Sequence, residues 1–189
     1  MAEIRMVVGL GNPGPEYTGT RHNAGFEVLD RLASLHGAVF KKTRQKALVA
    51  IIRVGGSTVT LAKPQTFMNL SGRAVRSLLR THRIYPDAML LVHDDLDLPL
   101  GQMRLSLRGS SGGHKGVESV IAAVGTSEFP RLRIGIGRPD GKAADYVLSR
   151  FSAAETEIIG TVLETAVAAL ECALRDDLTR AMNKFNRRR

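Results

Sequence analysis

Short apolar runs alternate with amphipathic segments along this chain, and that alternation restricts the folds it can adopt. Residues 4–8 and 88–93 are almost wholly apolar and read as short buried strands, as does the run at 132–136. Residues 47–54 and 57–62 flank Gly55-Gly56, a two-residue hairpin signal, and residues 102–107 alternate as a half-exposed strand. Between them lie helical patterns. Asn23 is placed to cap a helix running to about His36, with Gly37 as its stop and Val28, Leu29, Leu32 and Leu35 on one face. Ser71 opens a second helix, residues 113–124 form a third that stops at Gly125, and Ser152-Ala153-Ala154-Glu155 is a capping box ahead of a long helix to about Leu174. A last short helix follows. This order predicts an α/β chain: a single three-layer domain over residues 1–189, with a mixed, mostly parallel sheet flanked by helices and one small hairpin.

The loop after the first strand, residues 9–26 (GLGNPGPEYTGTRHNAGF), concentrates polar side chains at a strand end, where α/β proteins place their chemistry. Gly9 to Gly14 satisfies G-x-G-x-x-G, and Asp30 stands at a distance compatible with a ribose-binding carboxylate. A dinucleotide site also needs a helix to start within the glycine turn, so that the pyrophosphate meets its N-terminus. Pro13, Gly14, Pro15 and Gly19 instead prolong the irregular segment, and Asp30 falls on the helix. The pattern argues against a nucleotide cofactor, and no other cofactor is implied. Retention of a nucleotide on purification would reverse that reading.

Charge is the second constraint. The 189 residues carry 27 Lys and Arg against 18 Asp and Glu, a formal net charge of +9, which suits a protein that meets nucleic acid. Trp is absent and aromatics are few, which disfavours a base-stacking platform. The single cysteine, Cys172, excludes an internal disulfide and fits a reducing cytosol; its helical surroundings point to packing rather than nucleophilic chemistry. No run reaches the ~18 apolar residues of a membrane span, and no secretory signal is visible. Residues 184–189 read as a basic tail.

Four segments at predicted strand ends hold polar residues that a core does not need. They are the opening loop with Asn12, Tyr17, His22 and Asn23; residues 63–69 (KPQTFMN); residues 93–97 (HDDLD); and residues 109–116 (GSSGGHKG). Parallel neighbouring strands would bring them together at their carboxyl ends. His22 matters most, since imidazole exchanges protons near neutral pH without special tuning. The HDDLD segment also suits a metal loop in its carboxylates, but Leu96, Leu98 and Pro99 crowd it and calcium-loop spacing is missing. His36, His82 and His114 have no visible acidic partner in sequence; the first two read as structural, while His114 is open to supporting the site and stays unassigned.

Five segments, GLGNPGPEYTGTRHNAGF, KPQTFMNLSG, HDDLDLPLG, GSSGGHKG and FPRLRIGIGRP, resemble bacterial-type peptidyl-tRNA hydrolase in order and spacing. The resemblance implies a monomeric, metal-free cytoplasmic enzyme that cleaves the ester between a peptide and the 3′ ribose of tRNA. It implies His22 as general base on water, oriented by Asp94, with Asn69 gripping the peptide end beside the scissile carbonyl. Asn12 would orient groups around His22 and help distinguish a blocked α-amine from a free one. Tyr17, Phe67 and Met68 would line the substrate site, and Arg133 would bind tRNA phosphate.

Two positions depart from the family pattern. Lys115 stands where the family usually has asparagine, and lysine donates hydrogen bonds but cannot accept them. Ser106 stands where many relatives carry lysine; Arg104 and Arg108 are the available substitutes. The same fold also resembles plant organellar splicing factors, so a non-catalytic RNA-binding relative is the alternative. Arg73, Arg76, Arg80 and Arg83, spaced 3, 4 and 3, form one helical stripe, read either as a solvated face or as a tRNA dock.

Overall fold

A computed structural model describes residues 2–186. Seven strands form one sheet in the order β2-β3-β4-β1-β5-β7-β6. They are β1 (Met6–Gly9), β2 (Lys41–Lys42), β3 (Ala47–Val54), β4 (Ser57–Pro64), β5 (Met89–Asp95), β6 (Met103–Ser106) and β7 (Arg131–Gly135). The central strands β4, β1, β5 and β7 are mutually parallel, and antiparallel pairings occupy both flanks. The helices are α1 (Ala24–Leu35), α2 (Ser71–His82), α3 (Lys115–Val124), α4 (Ala143–Val147), α5 (Ala153–Arg175) and α6 (Leu178–Phe185).

Two cores lie on opposite faces of the sheet. Alternation along β1 and β5 sends Val7, Leu90 and Val92 into the core built with α1, α5 and α6, and Met6, Val8, Met89 and Leu91 into the core built with α2 and α3. Strands covered on both faces need apolar residues at every position, which is why β5 reads as an unbroken apolar run. Each such fully buried Val, Leu or Met contributes roughly 1.5–3 kcal/mol.

Gly55 and Gly56 both have positive φ (59° and 87°), the backbone of a tight hairpin turn between β3 and β4. The capping box of Ser152 and Glu155 opens α5 as the sequence requires, and Cys172 packs against the first core. α2 opens at Ser71 as expected, but Ser71 is its first residue and not its cap. Leu70, not Ser71, occupies the cap position, after a one-turn 3-10 helix at Met68–Leu70, and the buried Ser71 hydroxyl has no hydrogen-bond partner among the described residues. The short β2 and α4 have no clear sequence signal. The three C-terminal arginines of the basic tail lie outside the described residues; residues 184 and 185 belong to α6.

β1 sits between β4 and β5, and the chain leaves its carboxyl end into α1 on one face, whereas α2 covers the other. The connections therefore diverge to opposite faces at the carboxyl end of β1, the position where open α/β sheets form their ligand-binding crevice.

Candidate active site

The geometry of the crevice starts with glycines. A Cβ on Gly25, in the first turn of α1, would lie 2.5 Å from the Val92 carbonyl and 2.6 Å from the Leu10 amide and carbonyl. Only glycine lets this helix press so closely onto the ends of β1 and β5. The 3-10 turn Arg21–Asn23 just ahead of it is thereby fixed over the sheet, with His22 buried at its centre.

His22 Nδ1 lies 2.9 Å from Asp94 Oδ1 and 3.0 Å from Oδ2. Asp94 is the penultimate residue of β5 and is 1% exposed. Burial alone would raise its carboxyl, but His114 and His22 together outweigh burial and hold it well below the usual carboxylate range. An ionised Asp94 only accepts, so His22 donates to it from Nδ1, while its Nε2 makes no hydrogen bond among the described residues.

His114, left unassigned from sequence, completes the cluster with an acidic partner that the sequence does not disclose. Its Nε2 lies 2.8 Å from Asp94 Oδ1, while Nδ1 accepts from the Gly116 and Val117 amides at 3.1 and 3.3 Å. It therefore caps α3 and anchors the carboxylate with one ring. His93, wholly buried, donates from Nδ1 to the Asp94 carbonyl at 2.7 Å. Burial, reinforced by His114, pushes its pKa down to about 3, so it stays neutral. His36 also has an acidic partner, Glu171 at 2.6 Å, away from this cluster and on α5.

Asn12 and Asn23 lock the opening loop. The Asn12 amide donates to Asn23 Oδ1 at 2.8 Å, and Asn23 Nδ2 donates back to the Asn12 carbonyl at 3.0 Å. Asn23 stands at the expected helix start but clamps a neighbouring backbone instead of capping α1. Asn12 Oδ1 in turn accepts from the Met68 amide at 2.8 Å, tying the loop to the turn that carries Asn69. Among the described residues Asn12 makes no hydrogen bond to His22. Buried Met68 packs on α3: a Cβ on Gly116 would meet its sulfur at 2.3 Å.

The remaining predicted residues are less committed. Asn69 is exposed on the Met68–Leu70 turn and Phe67 is exposed just before it, and Tyr17 is half-buried at the end of the Pro15–Tyr17 turn. None makes a side-chain hydrogen bond among the described residues. Lys115 begins α3, is exposed, and pairs with Glu118 at 3.1 Å. Arg133 Nε pairs with Asp95 Oδ2 at 2.6 Å, and Arg104 is its cross-strand neighbour on β6, so the two share a face. Arg108 pairs with Glu128 at 3.1 Å on the surface. Asp97 pairs with Arg138, and its amide donates to Asp95 at 2.7 Å, so both flanking aspartates have structural work. The glycine turn at residues 9–14 starts no helix, and Asp30 lies on α1 bonded to Lys63.

Arg21, which the sequence does not flag, holds the His22 turn from the other side. It donates to Ser149 Oγ at 3.2 Å and to Glu155 Oε2 at 2.8 Å, with its guanidinium over the rings of Tyr146 and Phe151 at 4.2 and 4.6 Å. The Arg21 contact comes first among the causes that lower the Glu155 carboxyl to about 2.

An imidazole paired with a buried carboxylate at a sheet end is chemically able to move a proton, the kind of pair that hydrolases use. Residues 6–189 match the profile described as peptidyl-tRNA hydrolase. The peptidyl-tRNA hydrolase of Aquifex aeolicus is 51% identical over 187 residues, covering 98% of this chain and 97% of that protein. That of Carboxydothermus hydrogenoformans is 49% identical over 183 residues, covering 96% and 98%. The crystal structure of the Acinetobacter baumannii peptidyl-tRNA hydrolase superposes with a TM-score of 0.94 at 35% identity, covering 98% and 96%. The chain belongs to the peptidyl-tRNA hydrolase family.

Proposed function

We propose that this enzyme cleaves the ester linking a peptide, or an N-blocked amino acid, to the 3′ ribose of tRNA, with His22 as general base. Family membership supports the reaction. The observation that carries the residue roles is the His22 Nδ1–Asp94 pair, which leaves Nε2 free to take a proton from water. The water attacks the carbonyl carbon, the tetrahedral oxyanion collapses, and the 3′ oxygen leaves as the ester breaks. The proton held on His22 Nε2 is available to that departing oxygen. Asp94 supports the imidazolium in between without becoming protonated.

Asn69, exposed on a turn braced through Met68, is placed to hold the peptide end, and its amide both donates and accepts. Asn12, pinned through its backbone and Oδ1, presents Nδ2 as a fixed donor. Tyr17, Phe67 and Met68 form the apolar wall, and Lys115 and Arg133 supply cations for the tRNA end. Arg133 reaches phosphate only while sharing its charge with Asp95.

This reading is metal-free. His22, Asp94 and His114 offer ligand atoms within 4.8 Å of one another. The Nδ1 of His114 is already accepting from two backbone amides, however, so its Nε2 carries the ring proton and has no lone pair for an ion. We further read the enzyme as a cytoplasmic monomer; among the described residues no helix is long and apolar enough to cross a membrane. The test is to give the wild-type enzyme N-blocked and free aminoacyl-tRNA side by side. Release of the N-blocked amino acid with the free ester spared supports the proposal, and tRNA binding without cleavage of either refutes it.

A further inference from the structure

The net positive charge belongs to one part of the chain. Residues 31–86 contain eleven Lys and Arg and no Asp or Glu, whereas the rest of the protein holds sixteen against eighteen. Within that stretch α2 carries Arg73, Arg76, Arg80 and Arg83 on one exposed stripe ending at its C-cap. β2 and the turn after it add Lys41, Lys42, Arg44 and Lys46, all exposed, and Gln45 bonds to Thr81 of α2 at 3.1 Å, so the turn flanks the last part of that helix. None of these eight cations forms an ion pair among the described residues, whereas nine other Lys and Arg side chains do.

Folding gives no reason for this arrangement. Like charges three and four residues apart destabilise a helix, and α2 has no acidic residue to offset them. Arg80 and Arg83 suit the negative end of the helix dipole, but Arg73 and Arg76 lie in the half where cations are unfavourable. Beside the stripe a groove of about 430 Å³ runs between α2 and the end of α3, with Leu79, Ile84 and Val124 in its lining and the exposed ring of Tyr85 at its rim.

We propose that this face docks the phosphate backbone of the tRNA body, separately from the site that receives its 3′ end. The inference rests on the peptidyl-tRNA reading, which supplies an RNA whose reacting end is at His22. Arg73 follows Asn69 by four residues, and the stripe then extends ~15 Å along the helix at ~1.5 Å per residue, long enough to follow several phosphates. Guanidinium groups pair with phosphate through two parallel hydrogen bonds, and the apolar groove takes the ribose face between them. The contact is sequence-independent and salt-sensitive.

The test compares wild type, R73Q/R76Q/R80Q/R83Q and K42Q/R44Q/K46Q. Deacylated tRNA is titrated across a series of salt concentrations, and hydrolysis is followed on N-blocked aminoacyl-tRNA and on the same N-blocked ester of a 3′-terminal trinucleotide. The dock predicts a log Kd–log salt slope smaller by ~0.7–0.9 per lost phosphate contact. It also predicts a raised KM for the full tRNA with kcat unchanged, and unaltered hydrolysis of the trinucleotide ester, which also shows that the variants fold. Slopes parallel to wild type, or equal impairment on both substrates, overturn it. Binding and turnover are read separately, so wild-type protein that binds tRNA with a slope the variants lose, yet leaves the ester intact, contradicts the hydrolase reading and not the dock.

Discussion

His22 and His114 point their ring N–H groups at the same oxygen. Nδ1 of the first lies 2.9 Å and Nε2 of the second 2.8 Å from Asp94 Oδ1, with the ring centroids 4.8 Å apart. The imidazole of His22, our proposed general base, and the cap of α3 are therefore coupled through one buried carboxylate, and the first prediction concerns that coupling. In His114→Ala, Asp94 loses one of its two imidazole donors and the Gly116 and Val117 amides lose their acceptor. Each buried group left unpaired costs ~1–3 kcal/mol, which urea unfolding will report. His114→Asn, which restores a cap acceptor, is expected to recover part of the stability but less of kcat.

Asn23 clamps the backbone that carries Asn12. Asn23→Asp keeps the acceptor for the Asn12 amide but opposes the Asn12 carbonyl with a second acceptor. We expect a loss of ~1–3 kcal/mol in stability, as for a buried donor–acceptor pair broken on one side. The kcat for N-blocked aminoacyl-tRNA should fall more than tRNA affinity does.

Acid stability should report the Arg21–Glu155 pair that steadies the His22 turn. The Glu155 carboxyl is depressed from 4.5 to about 2 in the folded protein. A depressed carboxylate contributes stability that is complete above its unfolded value and disappears as pH falls through its folded value. Wild type should therefore lose stability relative to Glu155→Gln as pH falls from 4.5 to about 2. Urea midpoints measured across that window check it; a constant difference would show that the pair contributes nothing pH-linked.

Gly25→Ala tests the close approach beneath the site. Alanine usually favours a helix over glycine by ~1 kcal/mol. Here its Cβ would meet backbone atoms at 2.5–2.6 Å that cannot rotate away. We expect net destabilisation of ~3 kcal/mol or more, with lowered activity if the protein folds. A stabilised variant would mean that α1 can lift from β1 without effect.

Much of this was legible in the residues because short-range signals specify it. The apolar runs place the central strands, Gly55-Gly56 the hairpin and Ser152–Glu155 the start of α5. His22 and Asp94 were recognisable through their motifs, and the crevice joins them as those motifs imply. What escaped depends on partners far apart in sequence. His114 meets Asp94 across twenty residues, Arg21 meets Glu155 across 134, and His36 meets Glu171 across 135. Asn23 resembled a helix cap because Asn is common there, and nothing local discloses that its amide has a stronger claim on the Asn12 backbone. The Arg133–Asp95 pair was hidden for the same reason: β5 and β7 are neighbours only once the sheet forms.

In the proposed reaction the imidazole of His22, oriented by Asp94, activates the water that cleaves the ester. Single-turnover release of the N-blocked amino acid from its tRNA, measured for wild type, His22→Ala and Asp94→Asn with tRNA affinity determined in parallel, tests it most directly. The proposed roles require a fall of ~10²–10⁴-fold in the cleavage rate of both variants with tRNA affinity largely retained. Cleavage by His22→Ala at the wild-type rate would contradict it.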